Sequence, residues 1–175
     1  MDAEKRLREI AKEVSYEWEM LCWTFGTLYE EIGEEVAGEE DAPFLAVTHF
    51  FGTSLEEREG SALLEPFLLH VRNLRDFLYN DSSPKDDVLA THFFDHPDDW
   101  RKKRPPMGEY LKSIRDRLNK ALAHISYARL DYRKDRRWNV AKIKHDLKTP
   151  WQAFLDTLPS ERCQWFRSGG TNQFG

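Results

Sequence analysis

Apolar side chains recur every three or four residues along most of this chain, and no stretch alternates between apolar and polar, so helices are the only elements that pattern builds. Leu7, Ile10, Val14, Leu21, Phe25, Leu28 and Ile32 fall on one near-heptad stripe, with Trp18 close to the missing step, and Asp2 is placed to cap its start. Gly33 and Gly38 mark its end, before an acidic stretch from Glu30 to Asp41 that reads as a solvated loop. Residues 43–53 are apolar and undecided. Ser54 to Glu57 has the form of a capping box. Leu64, Phe67, Leu68, Val71, Leu74 and Leu78 then make a second helical face through Tyr79, and the helix either begins just before Pro66 or bends there. Asn80 to Pro84 reads as a stop followed by a new start, with Ser83 as cap and Pro84 at the first position of a short helix through Phe94.

Residues 101–107 are a basic connector containing Pro105 and Pro106. A long helix follows, with Leu111, Ile114, Leu118, Ala121, Ile125, Ala128 and Tyr132 as its apolar stripe. Asn139 can cap a last helix to about Leu158, kinked or divided at Pro150. The expected fold is all-α: a single-domain bundle of four to five helices over residues 1–167, with residues 168–175 as a frayed tail. Its 175 residues suffice for a sizeable core, and an aromatic content of 13% predicts that the core is built largely from rings.

The formal net charge of −5 conceals a strong segregation. Residues 1–60 carry −11 and residues 101–150 carry +11. Such a dipole attracts a polyanion or an acidic protein to the basic part. Cys22 and Cys163 stand far apart, in no metal or redox spacing, and read as reduced thiols of a cytoplasmic protein. No signal peptide and no membrane-spanning run is evident, so no membrane partner is expected.

Within the basic block, Arg117, Lys120, His124, Tyr127 and Asp131 are spaced to form one polar stripe at the rim of the core. An imidazole beside cations suits a phosphodiester, because the histidine can move a proton while the cations hold the phosphate charge. The plain alternative is a solvated stripe whose histidine bonds a neighbouring helix. On the second helix, His70, Arg72, Asn73, Arg75 and Asp76 form another polar patch. There Arg72 and Asp76 are spaced to pair, and His70 is either a satisfied core histidine or a supporting group of the site. His92 and His96 are four apart, but with no third ligand in view no metal or cofactor is assigned. Two basic runs, including Arg101 and Lys102 on one side and Arg133, Arg136 and Arg137 on the other, bracket the His124 helix. With Trp100 and Trp138 they can extend a surface that tracks phosphates.

An arginine and a histidine separated by a few residues, late in a small helical bundle, resemble the signature of the HEPN superfamily. Arg117 and His124 have six residues between them, the upper limit of that signature. Leu118 stands where the family has a polar residue, and Asn119-Lys120 precede the histidine instead. The helix around Leu68-Leu69-His70-Val71-Arg72-Asn73 resembles the preceding core helix of bacterial HEPN-like proteins, and the likeness covers roughly residues 60–132. The resemblance implies a metal-independent endoribonuclease of a toxin or defence system, acting as a homodimer whose two motifs face one cleft. In it His124 transfers protons, Arg117 binds the scissile phosphate, and Asn119 or Lys120 positions it. His70, Arg72, Asn73 and Tyr127 support them, and RNA and an antitoxin-like or other acidic protein are the partners. Other HEPN proteins are not nucleases, so the alternative is a non-catalytic interaction module with a basic binding face.

Overall fold

In the computed structural model, which describes residues 2–36, 55–82, 86–123 and 138–167, the first apolar stripe becomes the inner face of one helix, α1 (Ala3–Val36). The Asp2 carbonyl accepts the first helical bond, from the Arg6 N–H at 3.1 Å. Ala11, Val14, Leu21 and Leu28 are buried, and Trp18 stacks on Trp151 with ring centroids 5.0 Å apart. The second stripe becomes α2 (Leu55–Tyr79), which runs unbroken through Pro66. The bond that Pro66 cannot make belongs to the carbonyl of Ala62, an exposed residue. Glu17 meets His70, and further along α1 Phe25 meets Phe67, so the two helices pack antiparallel.

The expected helix from Pro84 to Phe94 is not formed. Residues 83–85 lie outside the described residues, residues 87–89 are non-helical, and only one 3₁₀ turn follows at Ala90–Phe93. Leu89, Phe93 and Phe94 are buried there, and Phe93 and Phe94 join the core. Next come α3 (Pro97–Lys103), α4 (Glu109–Ser113) and α5 (Arg115–Ala123). The long helix expected after the prolines is thus interrupted at Ile114 (φ −90°, ψ 0°), although Leu111, Ile114 and Leu118 are buried as that stripe requires. Residues 124–137 lie outside the described residues.

Asn139 does cap the following helix, α6 (Val140–Thr157), its side-chain oxygen accepting the Lys142 N–H at 2.8 Å, and Pro150 sits inside it without dividing it. A further helix, α7 (Ser160–Arg167), was not anticipated; it is short, and its apolar residues are too few to show a period. Arg162 anchors it to the Phe93 carbonyl (2.9 Å) and Asp95 (2.7 Å), and Ser15 of α1 donates to the Phe166 carbonyl (3.2 Å). The all-α class expected from the sequence therefore holds among the described residues, with more and shorter helical segments.

Two tertiary devices place α4 and the end of α2. Asp146 of α6 accepts the Leu111 N–H at 3.0 Å and so caps α4 from across the core. Gly108 permits this, since a Cβ there meets the Asp146 carboxylate. At the C-terminus of α2, Trp100 Nε1 donates to the Leu78 carbonyl at 3.0 Å and Arg104 donates to the Tyr79 carbonyl at 3.0 Å. A cation at this helix end also favours the macrodipole.

Phe154 of α6 is the hub of the core. Its ring lies 5.2 Å from Phe77, 6.1 Å from Phe93, 5.9 Å from Phe94, 5.6 Å from Trp100, 5.9 Å from Trp151 and 5.2 Å from Phe166, mostly edge to face. Phe154→Ala is expected to cost about 3–5 kcal/mol, measured by denaturant unfolding, because partners on four elements cannot all collapse onto the space.

Burial pushes the Tyr79 hydroxyl from its ordinary value near 10 up to about 12. A raised folded value contributes stability below pH 10 that is lost as pH climbs through 12. Tyr79→Phe is expected to flatten the loss of stability over that alkaline window, read from unfolding midpoints in the two proteins at matched pH.

Candidate nucleic-acid interface

Arg75 carries the polar link between α2 and α5. It occupies the position between Val71 and Leu78 on the apolar stripe of α2, and only 2% of it is exposed. Its Nε and Nη2 donate to Asp76 Oδ1 (3.0 and 2.7 Å), its Nη2 to Asn119 Oδ1 (3.1 Å), and its Nη1 to the Arg115 carbonyl (3.4 Å). A buried guanidinium needs such a set of acceptors to offset its lost hydration. Because its N–H groups only donate, Arg75 fixes the orientation of the Asn119 carboxamide: oxygen toward α2, with the Nδ2 hydrogens left as donors.

Arg117 lies two residues before Asn119, with its guanidinium 3.8 Å from the centroid of the Trp138 ring. Stacking on a fully buried indole holds the guanidinium plane. The Trp138 N–H itself has no acceptor among the described residues. Lys120 is exposed on the same helix. Arg117 and Lys120 share one side of α5, while Asn119, two residues from Arg117, faces the other way toward α2. His124, Tyr127, Arg133, Arg136 and Arg137 lie outside the described residues.

The other polar residues of α2 point to α1. His70 Nδ1 is 2.7 Å from Glu17 Oε2, with the histidine side chain 9% exposed, and Asn73 donates to the same oxygen at 3.2 Å. The Tyr16 ring packs edge-on against His70. Arg72 pairs with Asp76 at 4.0 Å, as the spacing predicts, but the closer partner of Asp76 is Arg75. Arg72, Asn73 and Asp76 line a groove of about 440 Å³ together with Glu13, Glu17, Asp86 and Asp87, so the surroundings of this part of α2 are acidic. Arg75, and not His70 or Asn73, is the residue of this patch that touches α5. Its signal in the sequence was its place on the apolar stripe, where a charged residue has to find buried partners.

The basic block is divided among several surroundings. Arg101 is bound to Asp98 (2.9 Å) and Asp81 (3.3 Å), Arg104 shares Asp81 (3.3 Å), and Lys102 is exposed. The Arg104 and Arg101 guanidiniums hold the Asp81 carboxyl below its usual range. On α6, Lys144 lies over the Phe25 ring of α1 at 4.3 Å. Burial pushes the nearby Cys22 thiol up, which keeps it protonated and poorly nucleophilic, and both cysteines are free. His92 and His96 do not share a helix face, because the 3₁₀ turn ends at Phe93 and α3 begins at Pro97; His92 Nδ1 accepts the Leu89 N–H at 3.3 Å. Among the described residues there is no cluster able to hold a metal ion and no helix long and apolar enough to cross a membrane.

No family model, curated protein or solved structure matches the chain.

Arg75→Met is expected to cost about 1–3 kcal/mol, since it leaves Asp76 and the Asn119 oxygen without their shared donor. Arg75→Lys recovers only part of this, because one ammonium cannot span acceptors on both helices. Denaturant titration of the three proteins measures it, and equal stability of all three refutes the clamp.

Proposed function

We propose that this chain is a HEPN-like, RNA-binding helical bundle that cleaves RNA without a metal, in a toxin or defence setting in the cytoplasm. The observation that carries this reading is the arrangement of α5. Arg117 is stacked on Trp138, and Asn119 is turned by Arg75 so that it offers hydrogen-bond donors. The guanidinium of Arg117 and the exposed charge of Lys120, on one side of α5, favour an anion there. In the proposed reaction the RNA 2′-hydroxyl attacks its neighbouring phosphorus as His124 handles the proton. The 5′-oxygen leaves with a proton, and a 2′,3′-cyclic phosphate remains. Arg117 holds the charge that develops on the phosphoryl oxygens, with Asn119 or Lys120 fixing the phosphate in place. In this reading two chains face each other through α5, and Arg101, Lys102, Arg133, Arg136 and Arg137 extend the phosphate contacts.

A second reading has its own support. Arg75 and Asn119 already satisfy each other as a structural tie, and Arg101 is engaged by two carboxylates. A non-catalytic module that offers its remaining cations to an acidic protein, such as an antitoxin-like partner, is consistent with both facts.

Incubation of purified protein with varied single-stranded RNAs at low salt, with and without EDTA, separates the two. Cleavage is expected to survive EDTA and to end in cyclic phosphates. His124→Ala is expected to abolish it, and Arg117→Ala to raise the barrier by about 3–4 kcal/mol, as for loss of one charge-stabilising donor. Affinity is expected to fall steeply with salt. Intact RNA after long incubation favours the interaction module, and unchanged cleavage by His124→Ala removes the site assignment.

A further inference from the structure

Trp100 and Trp138 are both fully buried, and they differ in what their indole N–H does. Trp100 Nε1 donates to the Leu78 carbonyl at 3.0 Å, whereas Trp138 Nε1 has no acceptor among the described residues. A buried donor without a partner destabilises a fold, and a leucine or phenylalanine fills such a place without one. What an indole adds over either is the aromatic face that best holds a cation. The Arg117 guanidinium lies on that face, 3.8 Å from the ring centroid.

The backbone that carries this ring is tied to two helices. Directly after Trp138, the Asn139 N–H donates to the Tyr110 hydroxyl of α4 at 2.8 Å. The Asn139 side chain accepts the Lys142 N–H of α6, also at 2.8 Å. The indole enters the core from this fixed point and meets α5 through Arg117. A guanidinium donates in its own plane, so a surface that fixes the plane fixes the directions in which it can bind an oxyanion. Binding then costs less side-chain entropy than it does for a freely rotating arginine.

We propose that Trp138 is a positioning residue that sets the plane in which Arg117 meets a phosphate of RNA. The assignment rests on the nucleic-acid reading above and adds to it a buried residue that acts only through Arg117.

Steady-state cleavage of a single-stranded RNA by the full chain tests it, in the wild type, Trp138→Phe, Trp138→Met, Arg117→Ala and the double variant Arg117→Ala, Trp138→Met. Methionine is an adaptable apolar filler without a ring. Trp138→Met is expected to lower kcat about tenfold with KM little changed, because the charge that Arg117 holds develops in the transition state. Trp138→Phe keeps a ring face and is expected to recover most of that loss. In the Arg117→Ala background, Trp138→Met is expected to lower kcat no further. A second measurement leaves Trp138 in place. Fluorotryptophan labelling gives it a fluorine NMR line, assigned by its loss in Trp138→Phe. A 2′-O-methyl RNA, which lacks the attacking hydroxyl, is expected at saturation to shift that line in the wild type and not in Arg117→Ala. The line decides alone if Trp138→Met does not fold or if the wild type binds RNA without cutting it. An unchanged kcat in Trp138→Met, equal losses in both backgrounds, or a line that RNA moves alike with and without Arg117 overturns the assignment and leaves RNA binding standing. A wild-type protein that neither binds nor cuts RNA overturns both.

Discussion

The packing of rings around Phe154 is the constraint on which the other elements depend. α6 supplies Phe154 and Trp151, α2 supplies Phe77, the 3₁₀ turn supplies Phe93, α3 supplies Trp100 and α7 supplies Phe166. Short segments such as the 3₁₀ turn, α3 and α7 have too few residues to be stable alone in water. Each is held because one aromatic side chain inserts into this cluster. The cluster thus turns a bundle of three long helices into one with several small attached pieces, which explains why the chain has more helical segments than its apolar periods indicate.

Around that apolar hub the polar ties are few and specific, and they set the position of α4 and α5. Asp146 caps α4 through space, and the lack of a side chain at Gly108 lets it approach. Arg75 reaches out of the core stripe to Asn119 and the Arg115 carbonyl. Both contacts tie a long helix to a short one by hydrogen bonds that leave the partner little freedom. Arg117 and Asn119 therefore hold defined orientations although they lie near the surface, the condition under which such groups serve a phosphate best.

Charge segregation along the chain has a different outcome in three dimensions. Many cations of residues 101–150 have carboxylate or aromatic neighbours: Arg101 and Arg104 at Asp81, Lys144 at Phe25, Arg117 at Trp138. The basic excess is therefore partly internal to the fold. Acidic residues from α1, α2 and the 86–89 segment gather around one groove instead, lined by Glu13, Glu17, Asp76, Asp86 and Asp87.

What the sequence by itself determined is local. The stripes of α1 and α2 and the Asn139 cap of α6 depend on residues within a few positions of one another, and helical periodicity and side-chain capping are written at that range. The resemblance to an Arg/His signature was legible for the same reason, as were the candidate residues Arg117, Asn119 and Lys120, all on α5. What only the tertiary structure decided depends on contacts between distant positions. Residues 87–89 are non-helical, while Phe93 and Phe94, just beyond them, join the Phe154 cluster. α7 exists because Arg162 and Phe166 find partners more than sixty residues away. His70 turned to Glu17, and the apolar position of Arg75 became the link to α5 because Asp76, Asn119 and the Arg115 carbonyl converge there. A sequence shows that a buried arginine needs acceptors, but only the packed helices determine which acceptors come within reach.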